Sequence, residues 1–148
     1  MTPRDKATEL ARAWHEKALG DLVAARSMAA NENVPAWILG FHLQQAIEKA
    51  WKGRLVILGL RPAPVHDLRA ILEARPGRDL PSPAEASMIV GLQAFAVEER
   101  YPLLTPRAAP RAPLEALLPL VEGEVAALAA AIASGGGDDD PDASASQP

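Results

Sequence analysis

The segment from residue 37 to residue 59 constrains the fold most strongly, because it predicts a long amphipathic helix with an organised polar side. At about 100° per residue the apolar side chains fall on one arc; they are Leu39, Leu43, Ala46, Ile47, Ala50, Ile57 and Leu58. The polar side chains gather opposite that arc; they are Gln44, Gln45, Glu48, Lys49 and Lys52, with His42 at the edge. Glu48 precedes Lys52 by one turn, the favourable order for a helical ion pair, and Gly59 suits the left-handed residue that ends a helix. A bundle helix needs the apolar arc, whereas the polar side predicts a contact surface.

The rest of the sequence predicts four further helices and no strand. The first is expected from about residue 5 to residue 30, with an apolar stripe of Leu10, Trp14, Ala18, Ala25 and Met28. A short third helix begins near residue 66, and a fourth follows the capping box Ser82-Pro83-Ala84-Glu85 and runs toward residue 100. The fifth is expected from about residue 114 to residue 133, with Pro119 as a kink or a delayed start. The fold class is therefore all-α, an antiparallel up-and-down bundle of four long helices and one short helix.

Composition divides the chain into one domain, residues 1–133, and a tail, residues 134–148. The tail consists of Gly, Asp, Ser, Ala, Gln and Pro, which bury little apolar surface, so it is expected to be disordered. Four aspartates of this tail account for the net charge of −4, and the other 15 acidic residues balance the 15 basic ones. No basic nucleic-acid footprint is therefore visible in the net charge.

Several function classes find no support in the residues. The chain has no cysteine and no uninterrupted apolar run near 18 residues, and its first 30 residues are rich in charge, so we expect a cytoplasmic protein without a membrane partner. His15, His42 and His66 lack zinc-ligand spacing, and no glycine-rich phosphate loop or serine nucleophile motif is present. Neither a metal site nor a cofactor is expected.

Two charged residues stand where apolar ones are expected. Asp21 lies near the centre of the first helix stripe, and Arg54 lies in the apolar arc of the second helix. A charge that leaves water needs a partner, so Asp21 is expected to be buried and paired with Arg54 or Arg100. The alternative is that Asp21 and Arg100 border a polar pocket for a phosphate or a partner group.

Two short motifs allow a structural and a functional interpretation. Arg100-Tyr101-Pro102 either closes a helix, with arginine near the last carbonyls and proline as the stop, or offers the forked donors of arginine to a phosphate. His66-Asp67-Leu68 either caps a helix N-terminus or forms a His–Asp pair for proton transfer.

The sequence FHLQQAIEKAWKGRLVILG, residues 41–59, resembles the second helix of the HEPN family, the higher eukaryotes and prokaryotes nucleotide-binding domains. The two motifs above, and Trp14, Asp21 and Ala25 in the first helix, support the resemblance, which spans roughly residues 10–132. It implies a helical bundle that binds a nucleotide or acts beside a small nucleotidyltransferase, as in toxin–antitoxin pairs. The ligand- or partner-binding residues that we expect are Asp21, Gln45, Lys49, Lys52, His66, Asp67, Arg100 and Tyr101.

The ribonucleases of this family share an arginine followed, about four to six residues later, by a histidine near the start of the last helix. This sequence has no histidine after His66, so its late arginines lack that partner. Arg61 and His66 have the spacing but lie in the loop after the second helix. We therefore expect a non-catalytic binding module; the alternatives are a metal-independent endoribonuclease using Arg61, His66 and Arg100, which makes RNA a possible but disfavoured ligand, and a dimeric scaffold.

A homodimer is also expected. Three large apolar residues interrupt the polar side of the second helix; they are Trp37, Phe41 and Leu55. A mixed aromatic and polar strip suits an interface better than a core, so this helix is predicted to hold the two copies together.

Overall fold

The structure is a computed structural model that describes residues 1–76, 80–98 and 111–135. Over these residues the chain is all-α, as predicted, with no strand. The helices are α1 (Pro3–Ala29), α2 (Ala36–Ile57), α3 (Leu68–Glu73), α4 (Pro83–Val90), α5 (Gln93–Glu98) and α6 (Arg111–Ala133). The predicted set of four long helices is wrong in one respect: within the described ranges three helices are long, and the helix expected after residue 82 is divided into α4 and α5.

Side-chain contacts define the direction of the three long helices. Asp21 of α1 meets the middle of α2, whereas the earlier Trp14 lies against Gly53 near the α2 C-terminus. The N-terminal Arg4 donates to the carbonyl of Gly135 at 2.6 Å, just beyond α6. α1 therefore runs antiparallel to both α2 and α6, and the short helices α3 to α5 lie between α2 and α6 in the chain.

Local sequence signals set most helix ends. Thr2 and Asp5 form a capping box at the start of α1, and hydrogen bonds from the Thr2 side chain and backbone hold the pKa of the Asp5 carboxyl below its usual value. Ser82 and Glu85 form the predicted box at the start of α4. α2 ends as predicted before Gly59, which has a φ of +77°. Gly59 thus adopts the left-handed conformation that glycine tolerates best.

Two predicted helix limits are wrong. The division between α4 and α5 falls at Gly91 and Leu92, where the Leu92 amide turns to the Ile89 carbonyl three residues earlier. Glycine is a poor helix former, and the tighter turn helps to bury both Leu92 and Phe95. α6 begins three residues earlier than expected and continues through the exposed Pro119, so the delayed start is wrong.

α2 is the central helix of the bundle. α1 packs along it through Ala11, Ala18, Leu22 and Ala25, whereas Leu10 of the predicted stripe is 51 % exposed. Two glycines of α2 allow close approach of neighbouring helices. A Cβ at Gly40 would lie 2.5 Å from the Phe95 ring, and a Cβ at Gly53 would lie 2.7 Å from a Leu128 methyl group. Because α2 has neighbours on several sides, much of its polar side is also buried.

Arg111 fixes the start of α6 to the connection between α1 and α2. Its guanidinium donates to the carbonyls at the end of α1 and in that connection, which belong to Met28, Ala29, Asn31 and Val34. Its Nε donates to Glu115 at 2.8 Å. The last carbonyls of a helix have no intrahelical partner, so Arg111 satisfies them while it joins three segments.

Among the helices that the structure describes, α6 is the one that is long and apolar enough to cross a membrane by length and composition alone. Core helices of soluble proteins pass the same test, and 28 % of the most apolar window of α6 is buried inside the bundle. The expectation that the protein has no membrane partner therefore stays a prediction.

Candidate functional site

The carboxylate of Asp21 joins α1 to two polar residues of α2. His42 Nδ1 lies 2.9 Å from Asp21 Oδ1, and the Lys49 ammonium donates to Oδ2. His42 and Lys49 are two turns apart on α2, so both can reach a carboxylate placed between them. The Asp21 side chain is only 13 % exposed. Asp21 is therefore largely but not fully buried, and it is paired with Lys49 and His42 instead of the predicted Arg54; Arg100, the other predicted partner, lies outside the described residues.

A second carboxylate, Glu48, lies on the polar side of α2. Its Oε1 is 2.8 Å from His66 Nδ1 and 3.6 Å from Lys52 Nζ. The Glu48 side chain is 5 % exposed and that of Lys52 is 9 % exposed. The Lys52 ammonium also lies 5.7 Å from the centre of the Trp14 ring, within the range of a cation–π interaction. The predicted ion pair is present, but it is buried rather than solvated.

Each lysine of the α2 polar side has its own carboxylate. Lys49 is matched by Asp21, and Lys52 is matched by Glu48. The side chains that form this set are Asp21, His42, Gln44, Gln45, Glu48, Lys49, Lys52 and His66, and we call it the α2 polar strip. Its charges balance apart from the protonation of the two histidines. Part of the predicted contact surface lies inside the bundle, because Gln44, Glu48 and Lys52 are buried.

The two glutamines of the strip form an incomplete pair. Gln45 Nε2 donates to Gln44 Oε1 at 2.6 Å. Gln44 is completely buried, yet its own Nε2 has no hydrogen-bond partner in the part of the chain that the structure describes. Buried amide donors are nearly always satisfied in folded proteins. Gln44 therefore keeps an unused donor beside an acceptor that Gln45 occupies.

His66 and Asp67 have separate roles. Asp67 caps α3, where its carboxylate accepts from the backbone amides of Arg69 at 2.9 Å and Ala70 at 3.4 Å. His66 points instead to Glu48 and is 70 % exposed. The helix-cap interpretation is thus confirmed for Asp67, and the proposed His66–Asp67 proton-transfer pair is wrong. An ionised carboxylate only accepts, so a neutral His66 ring in this contact would carry its proton on Nδ1 and leave Nε2 as an acceptor.

The structure brings several predicted site residues together. Asp21 and Lys49 meet at one carboxylate, Lys52 and His66 meet at the other, and Gln45 belongs to the same strip. Asp67 caps α3, Arg61 is exposed in the loop, and Arg100 and Tyr101 lie outside the described residues. Sequence reasoning placed Gln44, Glu48 and His42 on the polar side of α2 but missed them as site residues. For His42 a signal existed, because it lies two turns before Lys49 on the same helix.

A third polar contact supports the bundle away from the strip. Trp51 Nε1 donates to Glu124 Oε2 at 2.9 Å, and Arg75 Nη1 lies 3.4 Å from the same oxygen. The Arg75 guanidinium also lies 5.8 Å from the centre of the Trp51 ring. Trp51 and Arg75 are both buried. This contact joins α2, the end of α3 and α6. Its role is therefore structural.

A model of the HEPN domain family matches residues 11–121, which include most of α1, all of α2 and the first half of α6. The chain belongs to the HEPN domain family. No curated protein and no solved structure matches it. The matched segment contains the whole α2 polar strip. Membership indicates a nucleotide- or RNA-related module in general terms.

Proposed function

We propose that this HEPN domain is a non-catalytic module that binds a nucleotide through the α2 polar strip and works beside a small nucleotidyltransferase, as in a toxin–antitoxin pair. The observation that carries the proposal is the unused Gln44 donor, which lies beside two charge-balanced clusters in the middle of the bundle. An apolar side chain would fill this space without a desolvation penalty. The polar side chains of the strip therefore favour a role in recognition over a role in packing.

The argument against catalysis comes from the histidines. Metal-independent RNA cleavage needs a histidine near the attacking 2′-hydroxyl while an arginine holds the phosphate. His42 and His66 each contact a carboxylate through Nδ1, and in the described segments neither has an arginine as a hydrogen-bond partner. Arg111, at the start of α6, donates to backbone carbonyls and to Glu115. The described geometry thus supports binding better than cleavage.

One observation favours a second candidate, a metal-independent endoribonuclease. Glu48 holds His66 by Nδ1, and the exposed ring presents Nε2 to solvent, as a general base requires. In this alternative His66 would accept the proton of the 2′-hydroxyl, and Arg61 or Arg100 would hold the phosphate. Glu48 would then orient the base.

A cleavage assay separates the two functions. The purified chain is incubated with labelled RNA in the presence of a chelator, beside His66→Ala, Glu48→Gln and the exposed control Glu122→Gln. We expect no cleavage by any of them. Cleavage by the wild type and the control that both strip variants abolish would overturn the non-catalytic proposal and establish the endoribonuclease.

A binding assay tests the positive part of the proposal. ATP is titrated into the wild type and into Glu122→Gln by calorimetry, and a small nucleotidyltransferase encoded by a neighbouring gene is titrated separately. We expect saturable ATP binding that both proteins share. If neither ATP at millimolar concentration nor the nucleotidyltransferase at micromolar concentration binds, and RNA is not cleaved, only the scaffold function is left.

The homodimer stays a proposal, but fewer residues of α2 than predicted are exposed and able to form its interface. Leu55 is 2 % exposed and Phe41 is partly buried, so the predicted aromatic strip of α2 leaves Trp37, 41 % exposed, as its clearly exposed member. Trp37→Ala is therefore expected to weaken any dimer without unfolding the protomer. Sedimentation that shows only monomer for the wild type at tens of micromolar protein would refute the dimer.

A further inference from the structure

We infer that residues 61–66, which connect α2 to α3, form a strap that one contact, between His66 and Glu48, fastens over the α2 polar strip, and that a ligand binds the strip when this contact is open. The inference rests on the proposed function, because it names the route by which a nucleotide reaches side chains that the bundle buries. Glu48 and Lys52 are both buried, so little of either is open to a ligand while the strap is closed.

Both ends of the strap are fixed to the bundle. At its start the Leu60 amide donates to the Leu55 carbonyl at 2.9 Å and closes the end of α2. At its end Leu68 is fully buried, and the Leu68 amide donates to Gln93 Oε1 at 2.8 Å. The residues between these two anchors can therefore move without the unfolding of a helix.

The strap is held between its ends by a single side chain. Pro62 is partly buried, and the other residues of the strap are exposed. Within the described segments, the contact of His66 Nδ1 with Glu48 Oε1, at 2.8 Å, is the one hydrogen bond that joins the strap to another element. The Val65 amide donates to the Ala63 carbonyl inside the strap, and the two prolines have no N–H to donate. His66 is therefore the residue that fastens the strap.

The burial of the two partners makes this contact easy to open. The His66 side chain is 70 % exposed, whereas that of Glu48 is 5 % exposed. When His66 leaves, water or a ligand takes its place on the carboxylate, so no charge is left without a partner. Opening then costs about one hydrogen bond to a charged group, which changes an equilibrium by about tenfold when one partner faces water. The open strip presents Glu48 to the ligand with the Lys52 ammonium 3.6 Å away.

NMR relaxation of the full isotope-labelled chain tests whether His66 fastens the strap. Backbone order parameters in the wild-type strap are expected near the rigid value of about 0.85, and those of His66→Ala are expected to fall below about 0.6 in the strap alone. His66→Asn is the matched control, because its side-chain amide can donate to Glu48 in place of Nδ1–H, and it is expected to stay ordered. Equal order in the wild type and His66→Ala would overturn the inference.

Calorimetry with ATP tests the binding step. A ligand that binds only the open form has its apparent affinity reduced by the open fraction. His66→Ala is therefore expected to bind ATP about tenfold more tightly than the wild type, and His66→Asn is expected to match the wild type. Unchanged or weaker binding by a folded His66→Ala would overturn the inference. If neither the wild type nor the variants bind ATP, the proposed function is refuted, and the order parameters alone decide whether His66 fastens the strap.

Discussion

Removing the carboxylate of Asp21 should destabilise the bundle substantially. The Asp21 side chain is 13 % exposed, and its partners Lys49 and His42 are 23 % and 25 % exposed. Breaking a fully buried pair costs about 3–5 kcal/mol, and breaking an exposed pair costs about 0–1 kcal/mol. For this intermediate exposure we expect Asp21→Ala to lose about 2–3 kcal/mol, because the Lys49 ammonium stays largely out of water without its anion.

Urea and thermal unfolding measure this loss. At about 3 °C per kcal/mol for a domain of this size, the Tm should fall by roughly 6–9 °C. Adding Lys49→Met should recover part of the loss, since it removes the uncompensated charge. The exposed pair Arg26–Glu122, at 48 % and 37 % exposure, is the matched control; Glu122→Ala should lose less than about 1 kcal/mol. A loss for Asp21→Ala no larger than that of the control would show that the reasoning about burial is wrong.

Four further substitutions test the fold. Gly20→Ala should stabilise the protein by about 0.5–1 kcal/mol because the added Cβ meets nothing within 4 Å. Gly40→Ala should lose about 1–3 kcal/mol because its Cβ would lie 2.5 Å from the Phe95 ring. Urea unfolding that finds Gly40→Ala more stable than Gly20→Ala would contradict both predictions. Arg111→Lys should lose about 1.5–3 kcal/mol and speed hydrogen exchange in the connection between α1 and α2, so unchanged exchange there would argue against the guanidinium contacts. Asp5→Ala should be less stable than the wild type above the ordinary aspartate pKa of 3.8. The difference in stability should vanish as the pH falls through the lowered folded-state pKa of Asp5. A difference in stability that persists at the lowest pH would contradict the capping role.

Local chemistry explains what the sequence could predict. The period of α2, its end at Gly59 and the Ser82–Glu85 capping box depend on neighbouring residues, and all three are present. The break at Gly91 carried a local signal too, since glycine disfavours helix. However, it became decisive only because the turn there helps to bury Leu92 and Phe95 against the rest of the bundle.

The candidate site shows where sequence reasoning ends. The helical period placed Glu48 and Lys52 correctly on the polar side of α2, but it cannot tell whether another segment covers that side. His66 reaches Glu48 from the loop before α3, and Asp21 reaches Lys49 from α1. Both contacts join residues that are distant in sequence, so the burial of the strip depends on tertiary packing. Arg54 as the partner of Asp21 was wrong for the same reason.

The most direct test of the nucleotide site is an NMR titration of the isotope-labelled chain with ATP. The side-chain amide groups of Gln44 and Gln45 give separate signals, and both belong to the α2 polar strip. The predicted result is a saturating shift of both signals, together with the backbone amides of the middle of α2, at ATP concentrations up to about a millimolar. Saturating shifts confined to the loop before α3, or no saturating shift anywhere, would contradict the assignment of the α2 polar strip as the nucleotide site.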